Sequence, residues 1–112
     1  MLEQNRWTEK WHEAVRVYGL LHEAAYAVEV KDFETAGAAL YEALQLLWDG
    51  ELKQIGDWLT VKEATKLTEK AFAELDYAGC TKVLTTLKDA MRALRRVRKM
   101  LAELANKGGE RQ

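Results

Sequence analysis

Residues 7–28, WTEKWHEAVRVYGLLHEAAYAV, decide the fold class. Within them Trp7, Trp11, Ala14, Tyr18, Leu21, Ala25 and Val28 recur at alternating spacings of four and three, which places them on one face of an α-helix. The register predicts a helix over residues 5–30. Lys31-Asp32 breaks it, and the Asp32 carboxylate is placed to accept from free amides in the first turn of a second helix. That helix carries Phe33, Ala36, Leu40, Leu44 and Leu47 and stops at Asp49-Gly50. Glu51–Leu59 reads as a short helix loosened by Gly56. Thr60 with Glu63 forms a capping-box pattern that opens a third helix through Val61, Ala64, Leu67, Ala71, Phe72 and Leu75. Asp76 is the expected cap of the last helix, Tyr77 to about Asn106. Its stripe is Leu84, Leu87, Met91, Leu94, Val97, Leu101 and Leu104, and its stop is Lys107-Gly108-Gly109.

Four helices joined by short turns, with no strand alternation, predict an all-α, four-helix up-down-up-down bundle with a short extra helix between helices 2 and 3. The 112 residues, 48% of them hydrophobic, suit one domain spanning 1–112 that buries roughly two-thirds of its unfolded surface. One cysteine, Cys80, excludes a disulfide framework and a cysteine-rich zinc site, and points to a reduced, cytoplasmic setting. The polar opening MLEQNRWTEK is not a signal peptide. The longest apolar run, LYEALQLLW at 40–48, is too short to cross a bilayer, so no membrane partner is expected.

The Asp32-Phe33, Ala36 and Ala43-Leu44 run resembles the second helix of a tetratricopeptide repeat. Helix 1 lacks that family's tryptophan, glycine and tyrosine at their places, and the helix lengths differ. The pattern is what an amphipathic hairpin produces by itself.

Unequal helix lengths have a spatial consequence. Helices 1 and 4 reach about 38 and 45 Å, and helices 2 and 3 only about 24 Å. The long pair overhangs the short pair at the pole that also receives the Glu51–Leu59 segment. Trp7, Trp11, Trp48 and Trp58 all map to that pole, with Met100, Leu101 and Leu104 opposite. The indoles either form a second small core that shields the overhang or leave a partly open aromatic surface. Such a surface would serve as an interface anchor, because tryptophan buries a large area at low entropic cost.

Charge is asymmetric beneath a net −1. Residues 1–56 carry ten acids and five bases, and residues 57–112 carry eight acids and twelve bases. Lys88, Arg92, Arg95 and Lys99 share one stripe of helix 4, with Arg96 and Arg98 close by. Arg98 falls beside the apolar face and must snorkel or meet an acid. Lys62, Lys66 and Lys70 make a second basic line. Such bases serve a solvated helix face, an acidic protein surface, or phosphate.

Two histidines follow arginines, as Arg6-x5-His12 and Arg16-x5-His22. This spacing resembles the Arg-x4-6-His motif of HEPN ribonucleases, helical proteins that often dimerise to build their site. The resemblance implies an arginine holding phosphate and a histidine acting as acid or base. In that family the pair sits on a late helix and a polar residue follows the arginine. Here both pairs lie on helix 1, followed by Trp7 and Val17. Glu9-x-x-His12 is half of a di-iron motif without its second half. No phosphate loop, Cys-x-x-Cys or nucleophile elbow occurs, so no cofactor, metal or small-molecule substrate is indicated.

The sequence therefore points to a non-catalytic interaction module. Its expected partner-binding residues are Trp7, Trp11, Trp58, Arg92, Arg95, Arg96 and Lys99. The partner is another protein or a second copy of the chain in a homodimer. A nucleic-acid-associated role for the helix 4 bases is the alternative, and a HEPN-like ribonuclease the remote one.

Overall fold

A computed structural model describes the backbone of residues 2–110 and the side chains of 6–107. Four α-helices follow in order: α1 Leu2–Glu29, α2 Phe33–Asp49, α3 Leu59–Glu74 and α4 Cys80–Glu110. A 3-10 turn, Glu51–Ile55, lies between α2 and α3. Each helix packs on its neighbours in sequence, and α1 closes the ring against α4. The result is the expected four-helix bundle, 50 × 22 × 20 Å. Its narrowness follows from the core composition. Between Leu21, Leu40, Leu44, Leu87, Leu94 and Leu101 sit Ala14, Ala24, Ala36, Ala43, Ala64, Ala71, Ala90 and Ala93, all buried. Alanine at a helix contact lets backbones approach closely.

The helix ends show which local signals prevailed. The α1–α2 turn is closed by Lys31 in the left-handed region at φ 62°. The Asp32 amide donates to Ala27 O at 2.8 Å and the Lys31 amide to Val28 O at 3.0 Å, satisfying the last carbonyls of α1. Asp32 then caps α2, its carboxylate accepting from the Thr35 amide at 3.2 Å and the Thr35 hydroxyl at 2.7 Å.

The capping box at Thr60 does not form. α3 begins at Leu59, with Trp58 as an extended cap residue that makes no side-chain bond. Nor does Asp76 cap α4. The Glu74 carbonyl accepts from the Tyr77 and Ala78 amides and winds the end of α3 onward. The Gly79 carbonyl takes the Lys82 and Val83 amides, so α4 starts three residues later than expected. It also runs past Lys107-Gly108-Gly109 to Glu110. The short helix expected over Glu51–Leu59 is a 3-10 helix limited to Glu51–Ile55, closed where the Gly56 amide meets Lys53 O at 3.0 Å.

Two aromatic residues assigned to core stripes are exposed instead. Phe33 and Phe72 stand on the α2 and α3 flanks, while Val17, Leu20 and Ala24 complete the buried face of α1. Among the described residues, no helix is long and apolar enough to cross a membrane.

Two expectations follow. The Thr35 hydroxyl and amide hold the Asp32 carboxyl below its ordinary value. Its contribution to folding is complete above the ordinary aspartate pKa and is lost as pH falls through the lowered one. Asp32→Ala therefore lowers the urea midpoint at neutral pH, and the gap from wild type closes in acid. Glu74 is buried, and neither of its carboxylate oxygens finds a hydrogen-bond partner among the described residues. Glu74→Met removes this mismatch and raises the unfolding free energy by about 1–3 kcal/mol in denaturant titrations.

Candidate functional site

The pole where α1 and α4 outlast α2 and α3 is built from a polar attachment. Lys10 is 1% exposed, on the inner face of α1. Its ammonium donates to Gln54 Oε1 at 2.9 Å and pairs with Glu51 Oε1 at 3.4 Å. One turn along α1, the Glu13 carboxylate accepts from the Glu51 amide at 3.0 Å and the Leu52 amide at 2.6 Å. These are free amides at the start of the 3-10 turn, so Glu13 acts as its cap from another element. Leu52 and Ile55 are buried beneath. Gly50 makes room for the carboxylate. A Cβ there would fall on the Glu13 side chain and 2.6 Å from Leu46 O.

This attachment sets the aromatic geometry. Trp7 stacks on Trp58 with ring centroids 6.2 Å apart and planes inclined at 26°. The Arg6 guanidinium lies 5.0 Å and the Lys10 ammonium 5.9 Å from the Trp7 centroid. Both indoles are half-buried. Next to Trp58, Leu59 is 82% exposed, and Thr60 touches the sulfur of Met100 at 3.8 Å. Met100 is itself exposed, so the α3 start and the α4 end together show apolar surface.

The other two tryptophans have separate surroundings. Trp11 meets His12 edge-on at 5.0 Å. Trp48 donates its indole N–H to Glu69 at 2.9 Å, lining a cleft of about 470 Å³ with Lys53, Lys62 and Lys66. The structure thus shows a Trp7–Trp58 pair, while Trp48 meets Glu69 and lines its cleft with Lys53, Gly56 and Val61 of the same pole.

The bases of α4 divide as well. Arg96 pairs with Glu63 of α3 at 3.3 Å, and Arg92 with Asp89 at 3.3 Å. Lys99 is exposed beside Met100. Arg95 and Arg98 turn toward α1 and lie 5.9 and 5.1 Å from the Tyr18 ring centroid. Arg98 therefore meets an aromatic face in place of an acid. Arg92 and Arg95 also line a cleft with Tyr18, His22 and Lys88.

The second Arg-His spacing sends its two side chains to different neighbours. Arg16 is ion-paired with Glu42 of α2, whereas His22 lies beside Tyr18 on the α4 side of α1. Among the described residues no three His, Cys, Asp or Glu side chains gather as metal ligands.

Sequence reading missed Lys10, Glu13, Gly50 and Leu59. The available signal was Asp49-Gly50-Glu51, where a helix stop and an acidic start abut, together with a donor, Lys10, and an acceptor, Glu13, one turn apart on α1. It also missed an aromatic flank on α2: Phe33, Tyr41 and Trp48, with Tyr41 6.4 Å from Phe72 of α3. Comparison of the chain with protein-family models, curated proteins and solved structures gives no match.

Gly50→Ala tests the attachment. The added methyl displaces the Glu13 carboxylate, costing about 1–3 kcal/mol of stability in urea titrations. Tryptophan emission shifts to the red as the 3-10 turn loosens and the Trp7–Trp58 pair takes up water.

Proposed function

We propose that this chain is a non-catalytic, cytoplasmic interaction module that binds a protein through the tip formed by Trp7, Trp58, Leu59 and Met100. The observation that carries this reading is Leu59, a large apolar side chain 82% exposed beside half-buried indoles. Such a side chain gains free energy only when another surface covers it. The stacked indoles supply a rigid platform, and rigid aromatic anchors lose little entropy on binding. Arg96 and Lys99 border Met100 and supply the polar rim. Arg92 and Arg95, further along α4, add the field that steers an acidic surface to the tip. Trp11 contributes apolar area on the α1 side.

The partner is an acidic protein surface, and a second copy of the chain is the simplest source. The N-terminal half of the chain carries ten acids against five bases, which complements the α4 stripe. A two-fold arrangement would bring each acidic half to the other's basic helix. The nucleic-acid reading of the whole α4 stripe is less favoured, because Arg96 already holds the Glu63 carboxylate of α3.

A photo-crosslinking residue at position 59 tests the reading. It should give a discrete protein adduct, of twice the chain mass for a homodimer, that the same label at exposed Lys31 does not give. Leu59→Asp should abolish association in sedimentation runs while leaving stability within about 0.5 kcal/mol, as expected of an exposed position. Absence of any discrete adduct at position 59 would overturn it.

A further inference from the structure

Most of the bases whose contacts were described above have been given an acid. Lys10 holds Glu51, Arg16 holds Glu42, and Arg96 holds Glu63. The cleft between the middle of α1 and the middle of α4 is different. It is lined by Tyr18, His22, Lys88, Arg92 and Arg95, measures about 220 Å³, and has no carboxylate in its wall. The Arg98 guanidinium lies 5.1 Å from the centroid of the Tyr18 ring that forms part of this wall. Of these four cations only Arg92 has an ion-pair partner among the described residues, the exposed Asp89.

Positions 88, 92, 95 and 98 are separated by one helical turn each, so like charges stand over one another along α4. Such pairs destabilise a helix by a few tenths of a kcal/mol each. The Tyr18 face relieves part of this by attracting the two guanidiniums. Attraction to a ring uses no N–H donor, so both guanidiniums keep their forks for an acceptor. Arginine forks held in this way match phosphate oxygens, which accept two parallel hydrogen bonds. The Lys88 ammonium adds a point charge, and the Tyr18 hydroxyl and His22 ring add donors at the wall.

We propose that the α1–α4 cleft is a phosphate-binding site for a ligand carrying two or more adjacent phosphates, gripped by Lys88, Arg92, Arg95 and Arg98. From Lys88 to Arg98 the helix rises about 15 Å, more than one phosphate spans. The absence of acid from the wall excludes a cationic ligand, and the small cleft fits a phosphate chain better than an apolar body. The site lies apart from Leu59, and although Arg92 and Arg95 serve both readings, phosphate binding by Leu59→Asp is expected to stay intact and separates the two.

Titration of the full-length protein with pyrophosphate at low ionic strength, followed by calorimetry and by the Tyr18 and His22 ring resonances, tests the proposal. Binding should saturate at one site and shift both rings. Arg95→Ala/Arg98→Ala should weaken it by about tenfold or more, since charge-assisted forks are lost. Lys88→Ala, which leaves the stacked arginines in place, should weaken it less. Lys70→Ala, which removes an exposed base on α3 outside the cleft, should leave it unchanged. A single-stranded oligonucleotide run in parallel distinguishes the source of the phosphates. Competition with pyrophosphate at the same rings marks a nucleic-acid backbone, and pyrophosphate binding without oligonucleotide binding marks a small phosphate ester. No saturable binding of pyrophosphate, or equal loss in Lys70→Ala, would overturn the proposal.

Discussion

The Lys10 ammonium, sealed beneath the Trp7 ring and held by Glu51 and Gln54, joins the overhanging start of α1 to the one segment able to support it. A buried cation is costly unless its bonding capacity is met. Lys10 therefore fixes where the 3-10 turn must sit, and Glu13 fixes its direction by holding its first amides. With both ends set, Trp58 arrives over Trp7 and α3 starts with Leu59 turned outward. The apolar tip is thus a product of two polar contacts and of the missing side chain at Gly50. Hydrophobic burial assembles the bundle, but these contacts decide how its uneven end is finished.

Much of the fold could be read from helical periodicity because the core stripes are long. Leu21, Leu40, Leu44, Leu87, Leu94 and Leu101 are all fully or almost fully buried, and each falls in the register read from sequence. The Asp32 cap was also legible, since its competitor was only a short turn. Errors arose where two local signals competed. Asp76 and Thr60 are capable caps, yet α3 ends by winding through the Glu74 carbonyl and begins from extended Trp58. Phe33 and Phe72 were read as core because a stripe's edge cannot be told from its centre without the partner helix. The Trp7–Trp58 pairing followed from helix lengths alone. The Trp48–Glu69 bond did not, because it joins side chains of two helices whose facing residues cannot be matched from sequence alone. Lys10 and Glu13 were hidden for a different reason: long polar side chains on a helix normally mark its solvent face.

The arginines of α4 illustrate how one basic stripe acquires separate roles. A helix places neighbouring positions on different flanks, so α3 captures Arg96 through Glu63 while α1 draws Arg95 and Arg98 to Tyr18. The difference rests on what the facing helix offers, a carboxylate on one side and an aromatic ring on the other. An ion pair at the surface cancels charge. A stacked guanidinium keeps its full charge and its donors in a fixed plane. The uncancelled part of the stripe is therefore concentrated over the α1–α4 contact.

Closure of the ring is uneven. α2 meets α3 more sparingly than the other sequential neighbours meet, and two of the larger clefts lie along that junction, flanked by Phe33, Tyr41, Trp48 and Phe72. The long pair α1–α4 forms a continuous spine, and α2 hangs from α1 and α3 from α4, side by side. Such a bundle is a clasp more than a sealed tube. Its first local opening parts the two short arms while the spine stays intact, so amide protons along α2 and α3 exchange with solvent ahead of those in the middle of α1 and α4.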